Sequence, residues 1–494
     1  MNFPMIRYVL VSVLAFEGFF FLLPAITGVV CGEKESIVYW VLGLLCIAIG
    51  LLGRRKKPKN KMFFSKDGFV SVSLSWILIS LVGAIPFVVT GEIPSYVDAV
   101  FETISGFTTT GSSILTDVEA LSKTSLFWRS FTHWIGGMGV LVFVMAVLPT
   151  SGGSEMHLMR AESPGPSVGK IVPKLKQTAM ILYSIYIGIT IIEIVALLLA
   201  GMSLFEAMTL TFGTVGTGGF GVLNSSIASY NTAVQIIITI FMLLCSLNFM
   251  FYYLLLLRKP KEAFGIEEIR AFLVIVALAI LVVAWNIRGD MASFGEALKH
   301  SAFQVSSVIS TSGYATADFG TWPALSQTIL FLLMFIGACA GSTGGGFKVS
   351  RVVLLVKTIK NEIYTMIHPR SVRKVYSEKK SVSTTIIKQV LVYLAVYVML
   401  YIVSVLVVSL EGKDLVTNIT SVAATFNNIG PGLGNVVGPS GNFSDFTVLS
   451  KLVFILDMLV GRLEIFPVLV LFSTATWKIS FSRKKKKIDA EAYQ

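Results

Sequence analysis

Residues 96–116 read YVDAVFETISGFTTTGSSILT, and this stretch decides the fold. It opens on Val97-Asp98-Ala99-Val100-Phe101-Glu102-Thr103-Ile104, an amphipathic run about half as long as a membrane crossing. It then turns at Thr108-Thr109-Thr110-Gly111 into small, polar residues before the next apolar span. A half-helix followed by non-helical backbone is costly in hydrocarbon, where unpaired peptide groups find no water, and is tolerated only against protein or a wet cavity. The same plan recurs in residues 203–225, 295–318 and 414–438. Their turns are Gly216-Thr217-Gly218-Gly219, Ser310-Thr311-Ser312-Gly313 and Asn427-Asn428-Ile429-Gly430. A unit of helix, half-helix, glycine turn and helix therefore occurs four times from residue 69 onward. The two spans within residues 8–53 stand outside it.

Four such units can meet on a pseudo-fourfold axis. Each half-helix would aim its partly negative C-terminal end at the axis. Each turn would present main-chain carbonyls there, as stripping a cation of water requires. Glycine suits the turn because it takes positive φ without a Cβ clash. Close helix packing on glycine explains any single turn. It does not explain four at the same place, each after a half-helix.

Composition supplies the membrane. Of 494 residues, 54% are hydrophobic and 14% are charged, against about 25% charged in ordinary soluble domains. The mean hydropathy is +0.78. These values exclude a cytosolic enzyme and a disordered chain. Four cysteines and four histidines show no metal or redox spacing. They offer no nucleophile–base pair or metal cluster, so neither an enzyme nor a resident cofactor is expected.

Ten apolar runs approach the ~20 residues that cross a bilayer as a helix. They are residues 8–30, 38–53, 69–90, 127–148, 180–200, 233–257, 271–285, 325–355 (interrupted), 387–410 and 452–472. The second and seventh need flanking residues to complete a crossing. The first is long and lacks a small-residue cleavage site, so it reads as a retained helix. With both termini cytoplasmic, 32 of the 40 Lys and Arg fall on inward segments. That count includes the run from Lys348 to Lys388, as the positive-inside rule demands. The outward segments hold Asp98, Glu102, Glu206, Glu296 and Asp414, which would concentrate cations at an outer mouth. The +12 charge is thus topogenic first, and nucleic-acid binding is a poor reading of it.

At these turns the chain resembles the Trk/Ktr/HKT superfamily of cation transporters, and within it the TrkH-type potassium-uptake subunit. The resemblance rests on Phe101–Gly111, on His133-Trp134-Ile135-Gly136-Gly137-Met138-Gly139, and on Gly216–Phe220 and Ser310–Tyr314. Two further motifs are Gly337-Ala338-Cys339-Ala340-Gly341-Ser342-Thr343-Gly344-Gly345-Gly346 and Asn427–Gly434. It spans residues 69–475, and the two extra N-terminal spans match the longer TrkH type. It implies an all-α integral membrane fold: four pseudo-symmetric helix–pore-helix–helix repeats around one pore, in the cell membrane. The expected division is 1–66 (two extra spans and a basic loop), 67–176, 177–265, 266–380 and 381–478 (the repeats), and 479–494 (a basic tail).

The resemblance implies a filter with one strand per repeat. The strands are Thr109, Thr110 and Gly111; Thr217, Gly218 and Gly219; Thr311, Ser312 and Gly313; and Asn428, Ile429 and Gly430. Potassium is the expected substrate. No turn reads Thr-Val-Gly-Tyr-Gly and only one glycine recurs in all four, so discrimination against sodium is expected to be looser than in a potassium channel. A sodium-conducting protein or an ion-coupled symporter of the same architecture is the alternative, since carbonyl rings bind both ions.

Residues 337–346 interrupt the eighth span with five glycines, a composition a helix holds at about 1 kcal/mol per Gly. Small flexible residues at membrane depth suit a movable plug lining a wet cavity. The resemblance implies a gate of Gly341, Ser342, Thr343, Gly344, Gly345 and Gly346 beneath the filter. The stretch from Gly341 to Lys348 also looks like a phosphate-binding loop. However, Phe347 separates glycine from lysine, and a membrane span rather than a strand precedes it.

Arg462 lies inside the last span, where an ionisable residue is a functional candidate by default. The resemblance puts it beside the pore, as a barrier to cations acting with the loop. The alternative is an ion pair with Asp457 or Glu464. Glu17 and Glu193 also fall within spans and receive no role. The expected partners are the bilayer, a second copy of the chain, and a separate cytosolic nucleotide-binding ring of the TrkA type. That ring would dock on residues 156–176 and 357–388. The same basic loops could hold anionic lipid.

Overall fold

The computed structural model describes residues 1–58, 64–139, 175–371, 373–378 and 380–477. Helices α1 (Phe3–Cys31) and α2 (Ser36–Arg54) form an N-terminal pair. They approach closely along small residues: a Cβ on Gly18 would lie 2.6 Å from the Gly43 carbonyl oxygen. Small faces of this kind let helix backbones pack tightly in lipid.

Four units follow. The first is α3 (Ser65–Gly83), α4 (Tyr96–Phe107) and α5 (Lys123–Gly137). The second is α6 (Leu175–Leu199), α7 (Leu204–Val215), α8 (Thr232–Cys245) and α9 (Phe249–Leu256). The third is α10 (Glu267–Ile287), α11 (Phe294–Ile309), α12 (Ala324–Ile336) and α13 (Val349–Ile367). The fourth is α14 (Thr384–Val408), α15 (Leu415–Phe426), α16 (Val448–Arg462) and α17 (Phe466–Phe472). Among the described residues the one sheet is a hairpin pairing Tyr376–Ser377 with Lys380–Ser381, between α13 and α14. The expected helical fold of four units plus an N-terminal pair is the fold observed.

The short helices α4, α7, α11 and α15 share a start signal. Ser95, Ser203, Ser293 and Asp414 each accept a hydrogen bond from the backbone N–H three residues on. Asp98, Glu206 and Glu296 add an acid at that third position in three of them. This arrangement satisfies the free N–H groups of a helix start and suits its positive end.

The N-terminal pair is pinned to the first unit. Glu33 accepts from the N–H groups of Lys123 and Thr124, both at 2.9 Å, and so caps α5. Phe21 and Trp128 pack with ring centres 4.4 Å apart. Tyr39 and Ser125 share a 2.9 Å hydrogen bond.

Several expectations need correction. Among the described residues, six helices are long and apolar enough to cross a bilayer. The second and seventh spans reach 19 and 21 residues through their flanks. Residues 233–257 are not one continuous helix: α8 and α9 meet at a 93° bend. There Asn248 starts a new helix by accepting from the Met250 N–H at 2.9 Å. Residues 452–472 are also broken, at Glu464 (φ 58°) and Ile465 (φ 60°). Pro467, in the first turn of α17, cannot donate to a continuing helix and would clash with its preceding turn. The loop after α12 falls at residues 337–348, as the composition of the eighth span predicts. Lys348 and Glu102 are not solvated loop charges: they are 2% and 1% exposed, inside the protein. Residues 140–148 of the fourth span, 156–174 of the expected docking segment and the tail 479–494 lie outside the described residues.

Candidate functional site

Each short helix ends in the same way. After α4, the N–H groups of Thr108, Thr109 and Thr110 bond to the carbonyls of Ile104, Gly106 and Ser105. The corresponding three bonds recur at Gly216–Gly218, Ser310–Ser312 and Asn427–Ile429. The backbone then alternates in hand. Thr109, Thr217, Thr311 and Asn428 hold φ of 54°, 55°, 61° and 55°, and Gly111, Gly219, Gly313 and Gly430 hold 84°, 78°, 81° and 102°. The residues just before and between these positions are not in the left-handed region. A chain whose φ alternates in sign turns successive carbonyls to one side, whereas an ordinary strand alternates them. Left-handed backbone at a threonine or asparagine is a strained choice, and its fourfold repetition marks a built feature.

The four turns close into a ring. A Cβ on Gly111 would collide with the carbonyl oxygen of Gly218, one on Gly219 with that of Ser312, and one on Gly313 with that of Ile429. A Cβ on Gly430 would lie 2.9 Å from the carbonyl oxygen of Thr110, which completes the circuit. Every unit thus seats its glycine against the preceding-residue carbonyl of the next unit, in one rotational sense. Thr110, Gly111, Gly218, Gly219, Ser312, Gly313, Ile429 and Gly430 meet directly here, and Thr109, Thr217, Thr311 and Asn428 stand next to them in the chain.

Side chains behind the ring hold it. Asn428 donates to Thr110 Oγ1 and to the Met458 carbonyl, both at 2.9 Å. His133 bridges the first two units: its Nδ1 lies 2.8 Å from the Gly106 carbonyl and its Nε2 accepts from the Phe220 N–H at 3.2 Å. A carbonyl on one side and an N–H on the other specify the neutral ring with the proton on Nδ1. Tyr314, the aromatic after the third glycine, donates to the carbonyls of Leu210 (3.0 Å) and Phe220 (3.2 Å). Glu102 bonds Arg129 at 2.6 Å and also accepts from the Ile114 N–H at 3.0 Å. Arg129 in turn lies 3.5 Å from the Phe220 ring centre and donates to the Gly221 carbonyl at 3.0 Å.

Residues 337–348 press against this ring. Cβ atoms on Gly344 and Gly345 would fall 2.7 Å from the Ser310 oxygen and 2.5 Å from the Asn427 oxygen, so only glycine fits. The Gly345 N–H donates to Thr311 Oγ1 at 2.6 Å. The break between α8 and α9 frees backbone groups for the loop: Cys339 N–H bonds the Ser246 oxygen, and Phe249 N–H bonds the Gly341 oxygen, each at 3.0 Å. Lys348 turns back to donate to the Gly344 carbonyl.

Arg462 reaches the loop from the fourth unit. It donates to the Thr343 carbonyl at 2.7 Å, and to the Gly136 and Gly137 carbonyls of the first unit. The carboxylates considered as its partners are engaged elsewhere. Glu464 bonds Arg351 at 2.7 Å, and Asp457 accepts from Ser404 at 2.7 Å. A cavity of about 90 Å³ lies here, bounded by Trp76, Gly137, Gly344, Lys348, Arg462 and Glu464. The loop therefore contacts the third and fourth turns, the bend of the second unit and an arginine anchored on the first.

Sequence reasoning gave no role to His133, Lys348 or Asn248. His133 lay within a quoted motif, yet a lone histidine signals nothing until its two partners are seen. Lys348 looked like one more basic residue of a cytoplasmic run. Asn248, a polar residue in an apolar run, was a readable sign of the break.

The model of a family described as TrkH: Cation transport protein matches residues 37–479. The Trk system potassium uptake protein TrkH of Halomonas elongata is 35% identical over 443 residues, covering 88% of this chain and 91% of that protein. The protein of the same name from Escherichia coli is 34% identical over 485 residues, covering 96% and 98%. The crystal structure of the potassium transporter TrkH from Vibrio parahaemolyticus superposes with a TM-score of 0.87 at 31% identity, covering 97% of this chain and all of that one. With a family model over most of its length, relatives of this identity and the matching fold, the chain belongs to the TrkH family of cation transport proteins: it is a membrane transporter and not an enzyme.

Proposed function

We propose that the chain carries potassium into the cell through a single-file pathway lined by the four turns, with residues 341–346 and Arg462 as its gate. The observation that carries this reading is the closed circuit of turns, in which Gly430 meets the Thr110 carbonyl as each other glycine meets its neighbour. Four short helix C-termini and a ring of main-chain oxygens offer a cation the ligands it loses with its water. The names of the relatives supply the ion: they are potassium uptake proteins. Thr109, Thr110, Gly111 and their counterparts bind the passing ion. No resident cofactor is needed.

Below the ring, the glycine loop and the positive Arg462 obstruct passage until they move. The membrane chain works as a homodimer in the cell membrane, with both termini cytoplasmic. A cytosolic nucleotide-binding ring of the TrkA type controls it through the basic inward segments. Rubidium and sodium fluxes into liposomes holding the purified chain test the reading, with and without a proton or sodium gradient. Downhill rubidium entry faster than sodium entry and independent of other gradients is expected. Flux that requires a second gradient would replace it with coupled symport, and sodium entry equal to rubidium entry would replace potassium as the substrate.

A further inference from the structure

The loop is held by a carboxylate from the first turn of α10, a helix that also packs on the short helix α11. Glu268, at the start of α10 and 9% exposed, accepts from the Ala340 N–H at 2.6 Å and from the Ser350 N–H at 3.0 Å, both on Oε1. One oxygen therefore ties a residue within the loop to a residue just past its end, and closes the loop's two sides on each other. The neighbouring Glu267 faces the cytoplasmic hairpin. Its N–H donates to Glu378 at 2.8 Å, and its carboxylate bonds Lys357 Nζ at 2.5 Å. Lys357 also donates to the Tyr376 carbonyl at 2.7 Å. Two consecutive residues on one helical turn thus grip the loop on one side and the hairpin at 376–381 on the other.

We infer that Glu268 is a latch positioning the gate loop across the pore, and that the hairpin is its handle, coupled through Glu267 and Lys357. This rests on the reading of residues 341–346 as the gate. A pull on the hairpin moves the first turn of α10, which carries the carboxylate away from Ala340 and Ser350. The two N–H groups then lose a charged acceptor in a buried site, and the closed loop loses the bonds that favour it. The device needs no side chain at the ring to change.

The native Cys339, adjacent to Ala340 and buried, reports on the latch independently of flux. Cys31 is exposed, whereas Cys46, Cys245 and Cys339 are buried. In a Cys31→Ser background, Glu268→Ala should raise rubidium uptake into liposomes about tenfold, the effect of losing hydrogen bonds to a charged group. It should also bring Cys339 into reaction with a charged maleimide, located by peptide mass spectrometry. Glu268→Gln, which keeps an acceptor oxygen without the charge, should fall between. Lys357→Met and Glu378→Ala should shift uptake and Cys339 labelling in the same direction by less.

Unchanged labelling and flux in folded Glu268→Ala and Glu268→Gln would overturn the latch. Changes there with none in the hairpin variants would overturn the handle. If all variants and the parent chain carry no rubidium while Cys339 labelling still follows the latch, the permeation reading fails and the latch stands.

Discussion

Arg462 donates to the Thr343 carbonyl at 2.7 Å while also holding the Gly136 and Gly137 carbonyls, so one side chain of the fourth unit ties the loop of the third to the first. Under the proposed gating, a positive charge in that position both repels a cation and keeps the loop closed. Arg462→Ala removes both effects. A charge-assisted hydrogen bond contributes about 1.5–3 kcal/mol, so rubidium influx should rise about tenfold or more. Influx at or below the parent value in a monodisperse variant would leave Arg462 a structural role alone.

Gly345 lies so close to Asn427 that an added Cβ must displace the loop or the turn. Gly345→Val should push the loop away from Thr311 and raise basal flux. Deleting two of the three glycines Gly344, Gly345 and Gly346 should do the same. Lower flux in both, with the protein folded, would mean that the loop supports the pathway and does not close it.

Gly313 combines φ of 81° with an Ile429 carbonyl oxygen only 2.1 Å from where a Cβ would stand. Gly313→Ala adds about 1–2 kcal/mol of left-handed strain on top of that collision. Rubidium flux should fall to background while the far-ultraviolet circular dichroism stays helical. A Gly412→Ala control also sits at positive φ, 71°, but has open space around it and should keep its flux.

His133 satisfies the Gly106 carbonyl and the Phe220 N–H together. His133→Phe leaves the Phe220 N–H buried and unpaired, at about 1–3 kcal/mol, while the Gly106 carbonyl keeps only its bond from the Thr109 N–H. Its melting temperature in detergent should drop by several degrees, and its discrimination between rubidium and sodium should weaken, because Phe220 adjoins Gly219. A melting temperature equal to the parent's would show that the bridge contributes nothing.

Glu102→Ala strands Arg129 in the interior, which costs about 3–5 kcal/mol when a buried pair is broken. The double variant Glu102→Ala with Arg129→Met should recover much of that loss. Chemical denaturation of the three proteins measures it, and a double variant no more stable than the single one would contradict the pairing.

Much of this architecture is legible in the sequence. The half-helix and turn pattern is local: an amphipathic run such as 97–104, then Thr-Thr-Thr-Gly, states its own physics. All four turns were found from it, and the structure brings them into one ring. Breaks inside apolar spans were harder to see, because the period and composition of residues 233–257 are those of a helix on either side of the bend. Pro467 and Asn248 were the available signs.

What the sequence hid was long-range pairing. Glu102 reads as an outer acid until Arg129 is placed beside it, and Lys348 as a cytoplasmic base until the chain folds it back on Gly344. Such residues are defined by partners that are distant in the chain, and no local pattern names those partners.

The most direct measurement is an anomalous-difference map from crystals grown in rubidium or thallium. A peak on the axis, among the carbonyl oxygens of Thr110, Gly218, Ser312 and Ile429, is predicted, and it should weaken when sodium replaces the heavy ion. Bound ions confined to other places, in protein that transports rubidium, would contradict a pathway through the four turns.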